Sequence, residues 1–600
     1  MAQRSFVHNH FILDGDFYIC QETDCGTRLK KSSDGSTSSL LKHLNRHGFD
    51  GGKRTLQTES RRNIEKPAKQ RKIDFQGATS NETAAQNERI LRFFAAFNVP
   101  FQAVESPEFA AVLRNAGRNS QIPSRHKLSG DILSDVAGRY RREKIELLRN
   151  NEISLSMDEY SAGCRRFLSV TANFITAKWA MRTVRLDIDS LETEAATADN
   201  LSRRVSNLLV LHGTSIDKVS GVTRDGGANM VKTTKLLNLE SIHCFDHCLH
   251  LALSDAFKSK GIERMANATR WNSLFAMVKS FMELRNDLIT FSHDPSCRKM
   301  AQIQAIFLSD EIEDNDLQQV CKILSFFETV TRMAEGRDAF ASIIPYLIYR
   351  VTKYAEKPTQ SQCSSAVAVE FLSTFSDSFA LRRTGYDRSS LLKKISFFDP
   401  RFVFRKEIYS DEIWNDIEKD VFRELQSVQS NKRMEALCPI SDEEGDMFAI
   451  ETVEDGEWES LDDNSNITRK TPLEIELEVY LSSKRLAVPT PEKNNNSDVL
   501  EFWRNNAKQL PLLAGAAAKY LPIVASSAEP ERVFSGITHL LSNTKRASLS
   551  NAKIEKLTTV NHHIAMERID NFRKLPYDDK ISVCDADAES DSDCCEETGR

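Results

Sequence analysis

Three acids and four soft ligands are the residues of this chain whose types and spacing suit chemistry. Asp225 stands in GVTRDGGANM, where the apolar run KVSGV ends in an acid, two glycines and an Asn that opens a helical pattern. Such a pattern presents a carboxylate at the carboxyl end of a buried strand, where α/β sites are usually built. Asp158 ends a second strand-like run, ISLSMD, and Glu531 lies some 300 residues later in SSAEPERVFS. Three acids so spread suit a metal-dependent nuclease centre assembled from distant parts of one domain. The bland reading of Asp225 is a turn residue before Gly226-Gly227.

The second constellation is Cys20, Cys25, His43 and His47. Two thiolates followed by two imidazoles suit tetrahedral zinc. FYIC and the polar residues after it predict a short hairpin, and SSLLKHLNRH predicts a helix. His43 and His47, four apart, then share one helical face. Leu40, Leu41 and Leu44 are its expected apolar core. A module of about 45 residues can hardly fold without such a staple, so the zinc would be structural. Arg28, Lys30, Lys31, Lys42 and Arg46 are the expected phosphate or base contacts, although basic residues on a small domain are often only solubilising.

The remaining elements must position these groups. ISLSMDEY, RRFLSVTANFIT and WAMRTVRLDI predict three strands. They are followed by a helix over ADNLSRRVSNLLVLHG, a strand at KVSGVTRD, a helix over ANMVKTTKLLNLE, a strand at SIHCFDH and a helix over CLHLALSDAF. This is the order of an RNase H-like sheet, in which the first and fourth strands are parallel neighbours. Asp158 and Asp225 then end adjacent strands, about 5 Å apart laterally. With a third carboxylate they can hold two Mg²⁺ or Mn²⁺ ions for an in-line phosphoryl transfer. HCFDHCLH is dense in Cys and His, and His243, His247 and His250 offer an alternative second zinc site.

Upstream, residues 86–150 predict two short helices broken at Val99-Pro100 and a longer one with Arg139, Arg141, Arg142 and Lys144. Their basic stripe either tracks a DNA backbone or belongs to a cap packed on the next domain. Residues 273–470 predict amphipathic helices.

The ordered stretches SMDEYSAGCRRFLSVTANFI, GVTRDGGANM, CFDHCLHLAL, TRWNSL and YLPIVASSAEPERVFSGITHLLSNTKRASLS resemble the hobo/Activator/Tam (hAT) transposases and their domesticated relatives. The Cys/His module resembles a BED-type zinc finger. The resemblance implies an RNase H-like catalytic domain split by a helical insertion, and a C-terminal region that closes the active site and dimerises. It implies Asp158, Asp225 and Glu531 as catalytic metal ligands, with Cys244 and His247 as a Cys-x-x-His pair beside them. It also implies Trp271 as the aromatic that stacks on a flipped base, with Arg270 as its phosphate partner. The alternative for Trp271 is a core aromatic. One departure concerns the segment between His247 and Arg270, which is shorter than usual for the family.

The expected organisation is a finger over 1–50, a basic disordered linker over 51–85 and a helical DNA-binding or dimerisation segment over 86–150. The first part of the sheet domain covers 151–272, and the insertion covers 273–470 with an acidic loop at 441–466. Completion and dimerisation cover 471–575, and 576–600 is an acidic tail. The net charge of −6 hides this segregation, since residues 53–72 alone carry eight Lys/Arg against two acids. That basic block is a solvated linker, a nucleic-acid arm or an import signal. No run of about 18 apolar residues exists, so no membrane span is expected. The start MAQRSFVHNH lacks a signal-peptide pattern. Twelve cysteines scattered over 600 residues suit a reducing compartment. The expected partners are double-stranded DNA and a second copy of the chain, in the nucleus. A domesticated, non-cleaving DNA-binding dimer is the rival reading.

Overall fold

The computed structural model describes residues 9–22, 25–31, 37–47, 49–50, 53–54, 80–115, 122–162, 165–191, 195–258, 271–293, 314–336, 339–356, 365–437, 470–490, 493, 496–542, 546 and 548–574. Arg270, the basic block at 55–72, the acidic stretch at 441–466 and the tail at 576–600 lie outside them. The chain divides into two compact units, Met1–Gln76 and Gly77–Arg600.

In the first unit, β1 (Phe11–Asp14), β2 (Phe17–Cys20) and β3 (Arg28–Lys30) form an antiparallel sheet in that order, and α1 (Ser38–Arg46) follows. The β1–β2 hairpin, with Gly15 at φ 59° in its turn, is an addition to the sequence reading. A two-residue ladder pairs Phe49–Asp50 with Lys53–Arg54. Phe11, Cys20, Leu40 and Leu44 make the small core. Leu41, expected inside, is 39% exposed, because at α1's turn of 100° per residue it falls between the two core leucines' face and solvent.

The second unit is mixed α/β and mostly helical. Helices α2 (Ser80–Ala96), α3 (Pro107–Asn115) and α4 (Leu133–Arg149) precede a sheet of β4 (Ile153–Ala162), β5 (Arg165–Ile175), β6 (Met181–Ser190), β7 (Val219–Arg224) and β8 (Ser241–His243). The spatial order is β8-β7-β4-β5-β6. β5 is antiparallel to both β4 and β6, whereas β4–β7 and β7–β8 are parallel. The expected parallel contact of the first and fourth strands is therefore present.

Both faces of this sheet are covered. Ile153, Leu155 and Met157 point to one side, where α5 (Ala198–Leu211) supplies Leu201, Val205, Leu208 and Leu209, and α6 (Ala228–Leu236) supplies Met230. Thr197 caps α5 by accepting from Asn200 N–H at 3.4 Å. The alternate residues of β4, Ser154 and Ser156, are buried too. They face chain that returns from far along the sequence, and small hydroxyls fit there because Ser154 Oγ donates to Pro522 O at 2.7 Å.

After α7 (Phe245–Ala256) the chain runs through α8 (Trp271–Ser292), α9 (Asp314–Glu335), α10 (Ile344–Glu356), α11 (Ala366–Asp387), α12 (Ser390–Phe397) and α13 (Asp411–Leu437). It then continues through α14 (Pro472–Ser482), α15 (Asn496–Asn506), α16 (Pro511–Tyr520), α17 (Ala528–Ser542) and α18 (Asn551–Lys574). Whereas α17 and α18 pack with α2 and α4 in a separate core, one large aromatic core joins the helices from α7 to α16, with Trp414 and Trp503 fully buried. Each indole finds a carbonyl: Trp414 Nε1 donates to Arg405 O at 3.1 Å, and Trp503 Nε1 to Phe398 O at 2.9 Å.

The same core buries an ion pair. Arg401 Nη2 donates to Asp399 Oδ2 at 2.7 Å, Ser342 Oγ donates to that oxygen at 2.5 Å, and both charged side chains are fully enclosed. Asp399→Ala strands the Arg401 guanidinium. The expected cost is about 3–5 kcal/mol, read as a lowered urea midpoint of the second unit; an unchanged midpoint refutes it.

The basic stripe on α4 divides, with Arg139 and Arg142 exposed, Arg141 partly covered and Lys144 buried. Arg141 pairs with buried Asp187 of β6 at 2.8 Å, Arg139 pairs with Glu88 of α2, and Lys144 is buried. Tyr140 stacks on His563 of α18 at 3.5 Å between ring centroids. These contacts pack one face of α4 against β6 and α18.

Candidate functional site

The finger ligands converge. Cys25 Sγ lies 3.1 Å from His43 Nε2 and 3.2 Å from His47 Nε2, the two imidazole nitrogens are 3.2 Å apart, and Cys20 Sγ is 3.8 Å from His47 Nε2. Zn–S bonds of about 2.3 Å and Zn–N bonds of about 2.0 Å at tetrahedral angles require ligand separations of about 3.3–3.8 Å. The donor set and its edges therefore fit zinc. Hydrogen bonds from the Thr27 hydroxyl and backbone lower the Cys25 thiol to about 6, toward the thiolate a metal takes. Burial raises that of Cys20. Among the described residues, these four are the one set of three or more Cys, His, Asp or Glu side chains gathered tightly enough to hold an ion.

Arg28, Lys30, Lys31 and Lys42 are exposed around this module. Arg28 pairs with Asp14 at 3.1 Å and lies over the Phe17 ring at 5.1 Å. The Arg46 side chain lies outside the described part.

The acids sit at the carboxyl edge of the second unit's sheet. Met157 on β4 pairs with Arg224 on β7, so Asp158 and Asp225 are the next residues of adjacent parallel strands. Asp158 Oδ1 accepts from Glu159 N–H at 2.9 Å, and Asp225 Oδ1 accepts from Gly227 N–H at 3.2 Å. Gly226 gives close approach: a Cβ there would lie 2.8 Å from His243 Nε2 and 3.1 Å from Cε1. That ring is held against Tyr386, 6.3 Å between centroids and near parallel. Gly226→Ala is therefore expected to cost about 1–3 kcal/mol, seen as a lower melting temperature; wild-type melting would count against this packing.

Glu531 lies in the first turn of α17, and a series of long-range bonds holds that helix to the sheet. Thr223 Oγ1 donates to Val524 O at 2.6 Å, and Phe245 N–H donates to Ala525 O at 3.1 Å. Ala341 N–H binds Ile523 O at 2.7 Å from the other side, beside a Phe340–Val524 bridge. Ser527 N–H donates to Cys244 Sγ at 3.3 Å. Farther along, Phe534 stacks on Tyr160 of β4 at 4.9 Å, and the Tyr160 hydroxyl bonds Thr538.

Cys244 is thus a clasp. Burial pushes its thiol up to about 12, so it stays protonated, and it receives the backbone that leads into α17. Among the described residues, the Cys and His side chains of HCFDHCLH, with His243, His247 and His250, are not gathered tightly enough to hold an ion. His247 and His250 line a small cleft of about 70 Å³ with Asp246, Trp271, Glu335 and Glu531.

Trp271 opens α8, is 4% exposed, and belongs to the helical core while facing that cleft. Glu531 therefore shares this cleft with Asp246, His247 and Trp271. Asp158 and Asp225 stand at adjacent strand ends, and among the described residues the three acids are not drawn into a metal-tight set.

Asp246 was not singled out from sequence, where it falls in the predicted strand SIHCFDH; in the structure it lies in the first turn of α7. Both its carboxylate oxygens are buried. Burial foremost, then the charges of Glu335 and Glu531, raises its pKa well above the usual carboxylate range. Only its neighbours across the fold reveal that.

Residues 476–564 match the family model for the hAT family C-terminal dimerisation region, the segment that contains α15 to α17 and Glu531. The chain is 20% identical over 618 residues to human zinc finger BED domain-containing protein 4, covering 88% of this chain and 49% of that protein. It is 25% identical over 185 residues to the putative transcriptional regulator tpeD of Talaromyces stipitatus, covering 28% of this chain and 22% of that protein. The chain spans about half the length of the first relative. No helix among the described residues is long and apolar enough to cross a membrane.

Proposed function

We propose, from a chain whose C-terminal region is of the hAT type, a hAT transposase-like protein that binds double-stranded DNA through an N-terminal BED-type zinc finger. It works in the nucleus as a homodimer or higher oligomer. In this reading the five-stranded sheet is an RNase H-like core split by the helices from α8 to α13. The observation that supports it best is the pairing of Asp158 and Asp225 at adjacent parallel strand ends, with Glu531 brought to the same edge by the bonds of residues 523–527.

Three carboxylates suit Mg²⁺ or Mn²⁺, hard cations that take oxygen ligands. When bound, such ions would activate the attacking water or 3′-hydroxyl and stabilise the leaving oxygen. The chain's own part is positional. β4 and β7 set the spacing of Asp158 and Asp225, Gly226 and Gly227 clear the approach, and the Cys244 clasp fixes the first turn of α17. His247, Trp271 and, by resemblance, Arg270 line the path of a DNA strand. Arg28, Lys30, Lys31, Lys42 and Arg46 would meet phosphates or bases around the finger.

A second reading, a domesticated DNA-binding dimer that regulates transcription without cutting, is favoured by one observation: Trp271 is 4% exposed, closed in apolar packing rather than open to a base. The test is incubation of the full chain with Mn²⁺ or Mg²⁺ and a labelled duplex carrying the terminal repeats that flank its own coding locus. Metal-dependent cleavage supports the first reading. Binding without cleavage supports the second, and absence of both sinks the proposal.

A further inference from the structure

Where α4 packs on β6 and α18, the interior holds more positive charge than its acid offsets. Asp187 of β6 is the buried carboxylate there. Its Oδ1 accepts from Thr559 Oγ1 at 3.0 Å, and its Oδ2 pairs with Arg141 Nη2 at 2.8 Å and faces His212 Nε2 at 3.5 Å. Lys144 is one helical turn beyond Arg141 on the same face of α4. It is 5% exposed, and among the described residues its Nζ has no hydrogen-bond partner; Nε of Arg141 has none either. Arg185 adds a third cation to the same field and donates to Thr558 O at 3.1 Å.

Burial lowers the Lys144 pKa to about 8, Asp187 opposes that fall, and Arg185 and Arg141 add to it. At pH 7 the amine therefore still carries its proton. Burial also lowers His212, which leaves that imidazole neutral. An ammonium with three donors and no acceptor in a dry interior is costly. Water would supply a lone pair but no charge. A small anion supplies both, in short charge-assisted bonds.

We propose that a small inorganic anion, chloride or phosphate, binds between Lys144 Nζ and Arg141 Nε and braces α4 against β6 and α18. The Arg141 side chain, 37% exposed, gives it a route in from solvent. This site is independent of the acids at the sheet edge.

The test is thermal unfolding of the full, zinc-loaded chain at pH 7 and constant ionic strength, in sodium gluconate, chloride or phosphate. Wild type is expected to melt several degrees higher as chloride or phosphate replaces gluconate, saturably, and the two arms tell which anion serves. Lys144→Met is expected to melt above wild type in gluconate and to ignore the anion. Arg141→Gln needs about tenfold more anion for the same shift, the loss of one charge-assisted bond. Identical wild-type melting in the three salts, or an anion response that survives in Lys144→Met, overturns the site. Should Lys144→Met not fold, wild type against Arg141→Gln decides alone: an equal response in the two also overturns it.

Discussion

Asp225→Asn is expected to lower metal-dependent DNA cleavage by roughly a thousandfold or more while leaving DNA binding and folding unchanged. The magnitude follows from the ligand's place. Metal-held charge stabilisation is worth several kcal/mol in a phosphoryl transfer, and about 4 kcal/mol is three decades of rate. The clean fold follows from the local bonds. Asp225 Oδ1 accepts from Gly227 N–H at 3.2 Å, and an Asn carbonyl oxygen can accept the same bond, so the loop keeps its shape. What Asn loses is charge beside Asp158. Equal cleavage by wild type and variant removes Asp225 from the chemistry and with it the proposed three-acid centre.

Cys20→Ser is expected to take the zinc content of the full chain from one ion to none and to unfold the first unit. Among the described residues its apolar core is four buried side chains, Phe11, Cys20, Leu40 and Leu44, and Cys20 is one of the four expected zinc ligands. So small a core does not hold a three-stranded sheet and a nine-residue helix against chain entropy. Zinc supplies about 10–16 kcal/mol of apparent binding free energy in finger peptides, and in such modules that is folding free energy. The second unit has its own core and should keep its own transition. DNA affinity should fall at least about a hundredfold if the finger is the main contact, because loss of several phosphate contacts costs several decades. Retained stoichiometric zinc in the variant, measured by atomic emission, would falsify the assignment.

Particular residues show how far sequence alone reached. The finger ligands were legible because Cys and His are rare enough for their spacing to mean something, and His43 and His47 at four apart share a helical face. The neighbourhood of Asp158 and Asp225 was legible because a strand order of three, one and one, with helices between, allows few topologies. Leu41 was misplaced because three close leucines do not say which of them faces the sheet. Ser154 and Ser156 alternate with the apolar residues of β4, yet both are buried, since periodicity shows which residues share a side and not what comes to cover it. Arg141 and Lys144 read either as a stripe along a DNA backbone or as part of a packed cap. Asp187, which pairs with Arg141 and acts on Lys144 through its charge, lies over forty residues on and comes near them only once the sheet has formed.

By itself, then, the sequence determined the chemistry available: a tetrahedral Cys/His set, and two acids at the ends of neighbouring parallel strands. These follow from local rules of spacing, alternation and chain direction, which act over a few residues at a time. Tertiary structure alone decided the rest. It drew Glu531 back across some 300 residues through the bonds of 523–527 and the Cys244 clasp. It closed Trp271 into the helical core, and it raised the Asp246 pKa by burying that acid near Glu335 and Glu531. Each of these depends on which distant surfaces exclude water together, and burial is a property of the assembled fold that no local pattern encodes.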